Sequence, residues 1–485
     1  MSGGQEPAIG DHRARVAIDL GAESCRVSLL RWPNGRAEIT EVHRIPNGPI
    51  QRGSSLFWPI KNILAGLDEG LRRAAEEAPE GISSLAVDGW AVDYVRLDAD
   101  GHPLGDPFCY RDERTIEAKQ KADDVLLPEE AFCRTGAQPL RINSIYQLLA
   151  DDKSVTHAPW LCLPEFVLHW LGAPRVAEYT NATHTGLVDL ATGDWARDIF
   201  AKLDLPVEPA SRIVAPGTRL GRMQGPLTAL AAFHDTELIA PACHDTASAI
   251  AGIPADLDGT AYICSGTWSL VGTLVAQPIA TPEALAAHYT NQGAATGGFC
   301  FHTNVNGMWL LKQCMEAWTG AGRDVAISEL IRQAAFCTPA TVINVDAEPL
   351  LLAGNMPTRI NEQITAAGHE PIPDEPGNEP LFARVIFESL AARYAVALAD
   401  LEKMIHRKLD RIHIIGGASR NRLLADLTAQ RTGLPVDSGN PESSTIGNFA
   451  VQLAACEEPG GRIARQAVQR WAGVLAAPVP QASSH

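Results

Sequence analysis

The sequence predicts an α/β protein. Three observations carry that prediction. Short apolar strands alternate with helical stretches along most of the chain. Two segments, "RVAIDLGAESCRVSLLRW" (15–32) and "GTAYICSGTWSLVGTLVAQP" (259–278), each set a small-residue turn between two apolar strands, which points to an internal duplication. Finally, "RIHIIGGASRNRLLADLTAQRTGLPV" (411–436) joins a strand to a helix through Gly-Gly.

Taken in order, residues 16–20 read as a strand, 21–24 as its turn and 26–32 as a second strand. "PNG" at 33–35 turns the chain into a third strand over 37–44. A helical pattern covers about 60–77. "SSLAVDGWAVDYVRLDADGHPLG" (83–105) gives another strand, turn and strand, with "DADG" as a further turn. Late in the chain, 412–415 reads as a buried strand and about 421–432 as a helix, and "GLPV" ends that helix and starts a strand. The boundary between halves falls in "AGIPADLD" (251–258). This gives a first domain over 13–252 and a second over 253–473. Residues 1–12 are expected to be a flexible lead-in and the Ala/Pro/Ser-rich 474–485 a flexible tail.

The chain has 485 residues, enough to bury a large core without disulfides or metals. Its net charge of −17 argues against a nucleic-acid partner, which would require a basic face, and against anchoring on anionic lipid. There is no apolar run of membrane-spanning length, and the opening residues lack the apolar stretch of a signal peptide. Ten scattered cysteines with no C-x-x-C pair fit reduced thiols and a cytoplasmic protein.

Several stretches can carry chemistry. In "DLGAESCR" the turn exposes consecutive backbone N–H groups suited to a phosphate. Asp19 at the strand end can hold Mg²⁺, and Arg26 can approach phosphate oxygens. The same residues would also make an ordinary β-turn. "SGTWSL" (265–270) repeats the pattern, with Thr267 able to bond a phosphate oxygen. At 414–421, Gly416 and Gly417 admit a flat ligand such as a base and ribose, or else allow tight strand–helix packing. No G-x-G-x-x-G and no P-loop is present. Trp90 and Asp93 in "DGWAVDYV" (88–95) suit the C–H face and hydroxyls of a sugar, with a core tryptophan as the alternative. "CYRDERT" (109–115) reads as a solvated helix start, and "NVNGMW" (304–309) offers Asn304 and Asn306 beside a glycine turn. His169 and His413 lie in apolar surroundings and read as core residues. In "PACHDTASA" (241–249), Asp245 reads as a helix cap followed by small helical residues.

Together these segments resemble the FGGY carbohydrate kinases, and within them the rhamnulokinase-like branch. "DLGAESCRV" is similar to the first phosphate motif and "CSGTWSLVG" to the second. "VDGWAVDYVRLDADGHPLGDPFCYRDERT" and "RINSIYQLLA" resemble the sugar-pocket segments, and "EYTNATHTGLVDLATGDW" is typical of the branch. "HDTASA" resembles the segment holding the general base; "TNQGAATGGFCFHTNVNGMWLL", "IIGGASRNRLLADL" and "STIGNFAVQL" follow in family order, so the resemblance spans about 14–457.

The resemblance implies an actin-like, ribonuclease H-like fold. It has two domains around a cleft, each a mixed sheet flanked by helices. It implies ATP-dependent phosphorylation of a ketose hydroxyl, the 1-hydroxyl for rhamnulose. By resemblance Asp245 is the base, and Trp90, Ala91, Asp93, His244, Thr246 and Asn304 bind sugar. Ala22, Glu23, Ser24, Cys25, Arg26, Gly266, Thr267, Lys312, Gly416 and Gly417 bind ATP, with Mg²⁺ near Asp19. The expected partners are the sugar and ATP alone, with no nucleic acid and no membrane, in a monomer or homodimer. Four departures stand out. Glu23 and Cys25 replace serine and glycine in the first phosphate loop, and Gly89-Trp90-Ala91 replaces Thr-Trp-Gly. Lys312 replaces glutamine, and Ala418 replaces a third glycine. The alternative they raise is a pseudokinase that binds sugar or nucleotide as a sensor, with Glu23 and Cys25 its best support.

Overall fold

The computed structural model describes residues 10–458 and 463–477. Two six-stranded mixed sheets organise the chain. The first uses β1 (Ala14–Leu20), β2 (Ser24–Arg31), β3 (Glu38–Pro46), β4 (Ile82–Gly89), β5 (Thr218–Arg222) and β6 (Glu237–Ala240), in the order β5-β6-β4-β1-β2-β3. The second uses β7 (Thr260–Ser265), β8 (Trp268–Val275), β9 (Tyr289–Gly293), β10 (Phe299–Asn306), β11 (Arg411–Ile415) and β12 (Val436–Ser438), in the order β9-β10-β8-β7-β11-β12. In each sheet an antiparallel hairpin (β1–β2, β7–β8) is extended by an antiparallel strand on one side and by parallel strands on the other. The order 3-2-1-4-5 therefore recurs in both halves, with β5 and β9 as extra edges. The duplication expected from the two hairpin segments is present in the topology.

Residue pattern explains the layers. All seven residues of β1 are buried, as a central strand covered on both faces requires. Helix α1 (Ile60–Glu77) buries Ile60, Ile63, Leu67, Leu71 and Ala74, a single 3.6-period stripe, against Val16, Ile18 and Val27 on one face of the sheet. The 27-residue helix α4 (Glu379–Ile405) covers the outer face of the second sheet through Phe387, Leu390 and Tyr394, packed on Ile263, Val271 and Phe301. Between the sheets lie α2 (Asp245–Ala251) and α6 (Ser443–Glu457). Ile250 of α2 packs on Tyr262, Cys300 and Ile415 of the second sheet. Ile446, Phe449 and Ala450 of α6 pack on Ala17, Leu30, Ala86 and Ile239 of the first. Helix α7 (Arg465–Ala476) adds Trp471, edge-on to Trp32 with ring centroids 6.0 Å apart. The last two helices thus cover the first sheet although they follow the second in the chain. Helices α3 (Trp309–Gly320) and α5 (Arg422–Thr432) complete the second half.

Several expectations need correction. Tyr94–Arg96 does not hairpin back on β4; it pairs with Trp160–Cys162 and opens an insertion with its own core around Trp160, Trp195 and Phe200. "CYRDERT" does lead into a helix, Thr115–Val125, but it is only partly solvated. Its Asp112 is buried and accepts hydrogen bonds from Leu56 N (2.6 Å) and Arg114 N (2.9 Å). Helix α7 runs through Ala476, so residues 474–476 are helical rather than tail. The rest of the expected tail, from 478, and lead-in residues 1–9 lie outside the described residues.

The α2–α6 crossing is closer than side chains allow. A Cβ on Gly447 would stand 1.7 Å from Ser248 O, and one on Gly252 would stand 2.2 Å from Ser443 O. Both obstacles are backbone, so neither can turn aside. Gly447→Ala is expected to cost more than the ~1–3 kcal/mol of an ordinary overpacked site. An unchanged Tm in thermal unfolding would refute this reading.

Candidate active site

Three carboxylates converge where the first sheet's strands end, the position open α/β sheets use for ligands. Asp19 and Asp88 are direct neighbours across the parallel β1–β4 ladder, on the face turned to α6. Gly89 then bridges to His244, with Gly89 N donating to Cys243 O at 2.9 Å. That link brings Asp245, the first residue of α2, beside the other two. Asp245 is therefore inside the helix and not its cap; His244 holds the cap position. A carboxylate in the first turn is stabilised by the helix dipole.

The three differ in access. Asp88 is fully buried; its Oδ2 accepts from Asn448 Nδ2 (2.8 Å) and Ser248 Oγ (3.0 Å), and its Oδ1 has no partner among the described residues. The Asp19 side chain is 12% exposed; Oδ2 accepts from Ser444 Oγ at 2.8 Å, and Arg26 approaches at 3.5 Å. The Asp245 side chain is 38% exposed, so of the three it is the one open to a ligand. Its Oδ1 accepts from Thr246 Oγ1 at 3.1 Å and lies 3.3 Å from His244 Nε2. Although one edge is open, desolvation by the surrounding protein, then the negative charge of Asp19, pushes the Asp245 carboxyl up to about 7. Burial and the same neighbour hold Asp88 well above the usual carboxylate range. Burial also raises Asp19, against the pull of Arg26.

The "EYTNATHT" stretch builds the support beneath this loop. Glu178 accepts from Cys243 N (2.8 Å), Thr180 N (3.0 Å) and Thr180 Oγ1 (2.5 Å). Thr180 Oγ1 in turn accepts from His244 N at 3.2 Å. His244 and Thr246, expected to contact sugar, are both buried beside Asp245.

The two hairpin tips face the cleft. The first is pinned from below: Asn47 donates to Gly21 O (2.9 Å) and Glu23 O (2.9 Å), and a Cβ on Gly21 would stand 2.4 Å from Ser24 O. Ala22 and Ser24 are half-buried and Glu23 is exposed. Arg26 Nη1 donates to Glu442 at 2.8 Å. Cys25 requires correction. It alternates with Arg26 on β2, so it faces α1, fully buried in the first core, and cannot touch nucleotide. At the second tip, Gly266 is exposed and Thr267 half-buried; Met308 N and Trp309 N donate to their carbonyls at 3.0 and 3.2 Å. Gly416 (φ 80°) ends β11 against Ser265 O, and Gly417 beside it meets nothing that a Cβ would touch. Lys312 of α3 reaches across the cleft to Glu23, Nζ to Oε1 2.5 Å.

Beyond β4 the chain makes a strained turn at Val92 (φ 70°), held by Ser144 Oγ (2.7 Å) and Gln147 Nε2 (3.2 Å) on its carbonyl. Asp93 is fully buried, which corrects its expected role as a direct sugar ligand. It accepts from Trp58 Nε1 (2.6 Å), Trp90 Nε1 (3.0 Å), Tyr110 N (3.2 Å) and Gln147 Nε2 (3.0 Å). It therefore orients Trp90, whose ring lies 4.5 Å from that of Trp58. Trp90 and Ala91 keep a small exposed edge. Asn304 is exposed on the face of β10 that carries His302, whereas Asn306 is buried and bonded to Val345 O and Leu350 O.

Asp88, His184 and Gln292 went unremarked in the sequence. Asp88 had a signal: "AID" of β1 and "AVD" of β4 end their strands alike, at matched register. The other two lie inside segments that resemble the family, "EYTNATHT" and "TNQGAATGG", but nothing local singles them out there.

The FGGY family of carbohydrate kinases matches over 14–252 with its N-terminal domain and over 261–456 with its C-terminal domain. The rhamnulokinase of Bacteroides thetaiotaomicron is 34% identical over 448 residues, covering 91% of this chain and 90% of its own. That of Bacillus subtilis is 32% identical over 453 residues, covering 91% and 90%. Among solved structures, xylulose kinase from Lactobacillus acidophilus superposes with TM-score 0.76 at 17% identity (96% and 92% covered). Glycerol kinase from Plasmodium falciparum superposes with TM-score 0.74 at 12% identity (95% and 92% covered). These likenesses show the actin-like two-domain fold. The chain belongs to the FGGY family of carbohydrate kinases and is an ATP-dependent sugar kinase.

Proposed function

We propose that this kinase transfers the ATP γ-phosphate to the 1-hydroxyl of L-rhamnulose or a related ketose, with Asp245 as the general base. The observation that carries the assignment is the Asp245 carboxylate. It opens a helix at the cleft floor, with Oδ1 held by Thr246 and Oδ2 turned to no protein donor among the described residues. A sugar hydroxyl attacks phosphorus poorly while it keeps its proton, and Oδ2 can accept that proton as the new bond forms. The rhamnulokinase relatives support the choice of sugar. The edge of Trp90, fixed by Asp93, offers an apolar face for the sugar's C–H groups. Asn304 and Thr246 are the polar contacts we assign to it; His244, expected to be a third, is buried with its ring nitrogens turned to His184 and Asp245, so we assign it to the base rather than to the sugar.

The carboxylate pair below fits a divalent cation. Two acids share one ladder position, one of their oxygens is orphaned, and Arg26 is the nearby cation. We assign Asp19, backed by Asp88, to Mg²⁺, which when bound offsets phosphate charge. The hairpin tips at 21–24 and 266–267 are the assigned phosphate grips, and bare Gly416–Gly417 the adenosine shelf. Ten unpaired cysteines support a reducing, cytoplasmic setting, and a monomer or homodimer would serve equally.

Three outcomes test this. Coupled ADP release over a panel of ketoses should find turnover, and Asp245→Asn should lower kcat by ~10²–10⁴-fold; no turnover on any sugar, or none of that loss, overturns the reading. Because the carboxyl is raised to about 7 and is active only when ionised, kcat/KM for sugar should rise about tenfold from pH 6 to pH 8 and be lost as pH falls. A flat profile would remove Asp245 from the proton transfer. Finally, Lys312→Gln leaves Glu23 unpaired beside the phosphates and should raise KM for ATP, by up to roughly fivefold for an exposed pair. Adding Glu23→Ser should restore it; additive losses in steady-state kinetics would show that the two residues act separately.

A further inference from the structure

We propose that His184 and Gln292 are positioning residues for the base: a chain of hydrogen bonds that starts in the second half of the molecule orients His244, and His244 lies in close contact with the base. Gln292 Nε2 lies 3.0 Å from His184 Nδ1, and His184 Nε2 lies 3.1 Å from His244 Nδ1. The two imidazoles are tilted at 50° with centroids 3.8 Å apart, and His244 Nε2 stands 3.3 Å from Asp245 Oδ1.

The carboxylate end sets the polarity. A neutral imidazole beside a carboxylate must present N–H, since a lone pair there would be repelled. His244 is therefore protonated at Nε2 and accepts at Nδ1. His184 must donate from Nε2, so its Nδ1 accepts, and Gln292 supplies the amide N–H. Each tautomer is fixed by the next group, and His244 is thereby held with Nε2 against the Oδ1 that Thr246 already occupies, which leaves Oδ2 to meet the substrate.

The surroundings support this. Gln292 and His244 are buried, and burial holds His184 well below the ordinary imidazole range and His244 down to about 3, so the chain stays neutral. His302, on the same sheet face, shares a hydrogen bond with Tyr262 Oη at 2.9 Å and is also neutral. The turn Thr183–Thr185 that carries His184 is stitched to β9 by Gly293 N donating to Thr183 Oγ1 at 2.9 Å. Thus an edge strand of the second sheet orients a base carried by the first half. The groups facing Asp245 are Asp19, Asp88, His244, Thr246 and Cys264; His184 and Gln292 act on it through His244.

This inference rests on Asp245 being the base. The test compares His184→Gln, which can keep a donor toward His244, with His184→Leu, which fills similar space without one, and with Gln292→Leu in the other half. The leucine variants should lose about tenfold in kcat, the equivalent of one hydrogen bond. They should also raise the pH midpoint of kcat/KM for sugar and leave KM for ATP unchanged, while His184→Gln recovers the midpoint and most of kcat. Equal kinetics for His184→Gln and His184→Leu would overturn the proposal. Should the leucine variants not fold, imidazole ¹⁵N shifts of the unmodified protein decide: His184 and His244 must both be Nε2–H tautomers, and any Nδ1–H tautomer refutes the chain. The tautomers stand whatever Asp245→Asn does to turnover, so failure of the base assignment is separately visible.

Discussion

The arrangement of this molecule depends on one contact, the crossing of α2 over α6 at Gly252 and Gly447. Backbone meets backbone there because no side chain intervenes on either helix. The closeness has a chemical consequence. Ser248 on α2 and Asn448 on α6 both donate to the same oxygen of Asp88, which requires the two helices to lie within one carboxylate's reach. Gln452, one turn further along α6, donates to Val16 O and accepts from Ser84 Oγ, tying the helix to β1 and β4. Removing either donor would leave that buried oxygen short of a partner, so the pair of bonds is costly to disturb. The crossing therefore fixes helix α2 and, through it, where Asp245 opens into the cleft. The last helices of the chain thus position a residue of the first half.

Much of the fold was legible because its signals are local. The strand pairs and the small-residue turns between them read directly from hydrophobic runs and turn chemistry, and helix α1 from its 3.6-residue stripe. The helix that Asp245 opens was legible from the small residues after it, although His244 rather than Asp245 takes the cap position. Cys25 was misread for a traceable reason. With the second strand begun at 26, Cys25 fell in the turn; begun at Ser24, the two-residue alternation sends Cys25 and Arg26 to opposite faces. Asp93 was misread by isolating it from its aromatic neighbours. Indole N–H groups need buried acceptors, and Asp93 is the acceptor for two of them. His184 and Gln292 stand 108 residues apart, on different halves, and neither lies in a pattern that points to the other. Only the folded chain brings them together.

Electrostatics explains why so many anionic groups sit at one place. Burial raises all three carboxyls; the charge of Asp19 adds to the rise at Asp88 and Asp245, and that of Asp245 to the rise at Asp88, while the histidines behind them are neutral and supply direction without positive charge. Arg26, the cation beside Asp19, is shared with Glu442. Such a site is poorly neutralised by its own residues. It is therefore suited to substrates that arrive with compensating charge and unsuited to a second acid left unpaired at its rim.

That last point bears on the departures from the family pattern. Glu23 and Cys25 were the features that favoured a binding protein without catalysis. Cys25 is in the core, where its thiol, pushed up to about 12 by burial, is an inert apolar filler and leaves the phosphate loop's surface unchanged. Glu23 is answered by Lys312, the third departure, which stands across the cleft at ion-pair distance. A serine–glutamine couple has been replaced by a glutamate–lysine couple with no change in net charge. Two substitutions that look damaging when read one at a time cancel when read as a pair, and Asp19, Asp245, Thr267 and Gly416–Gly417 are all retained. The physical case against catalysis therefore disappears once the two halves are seen together.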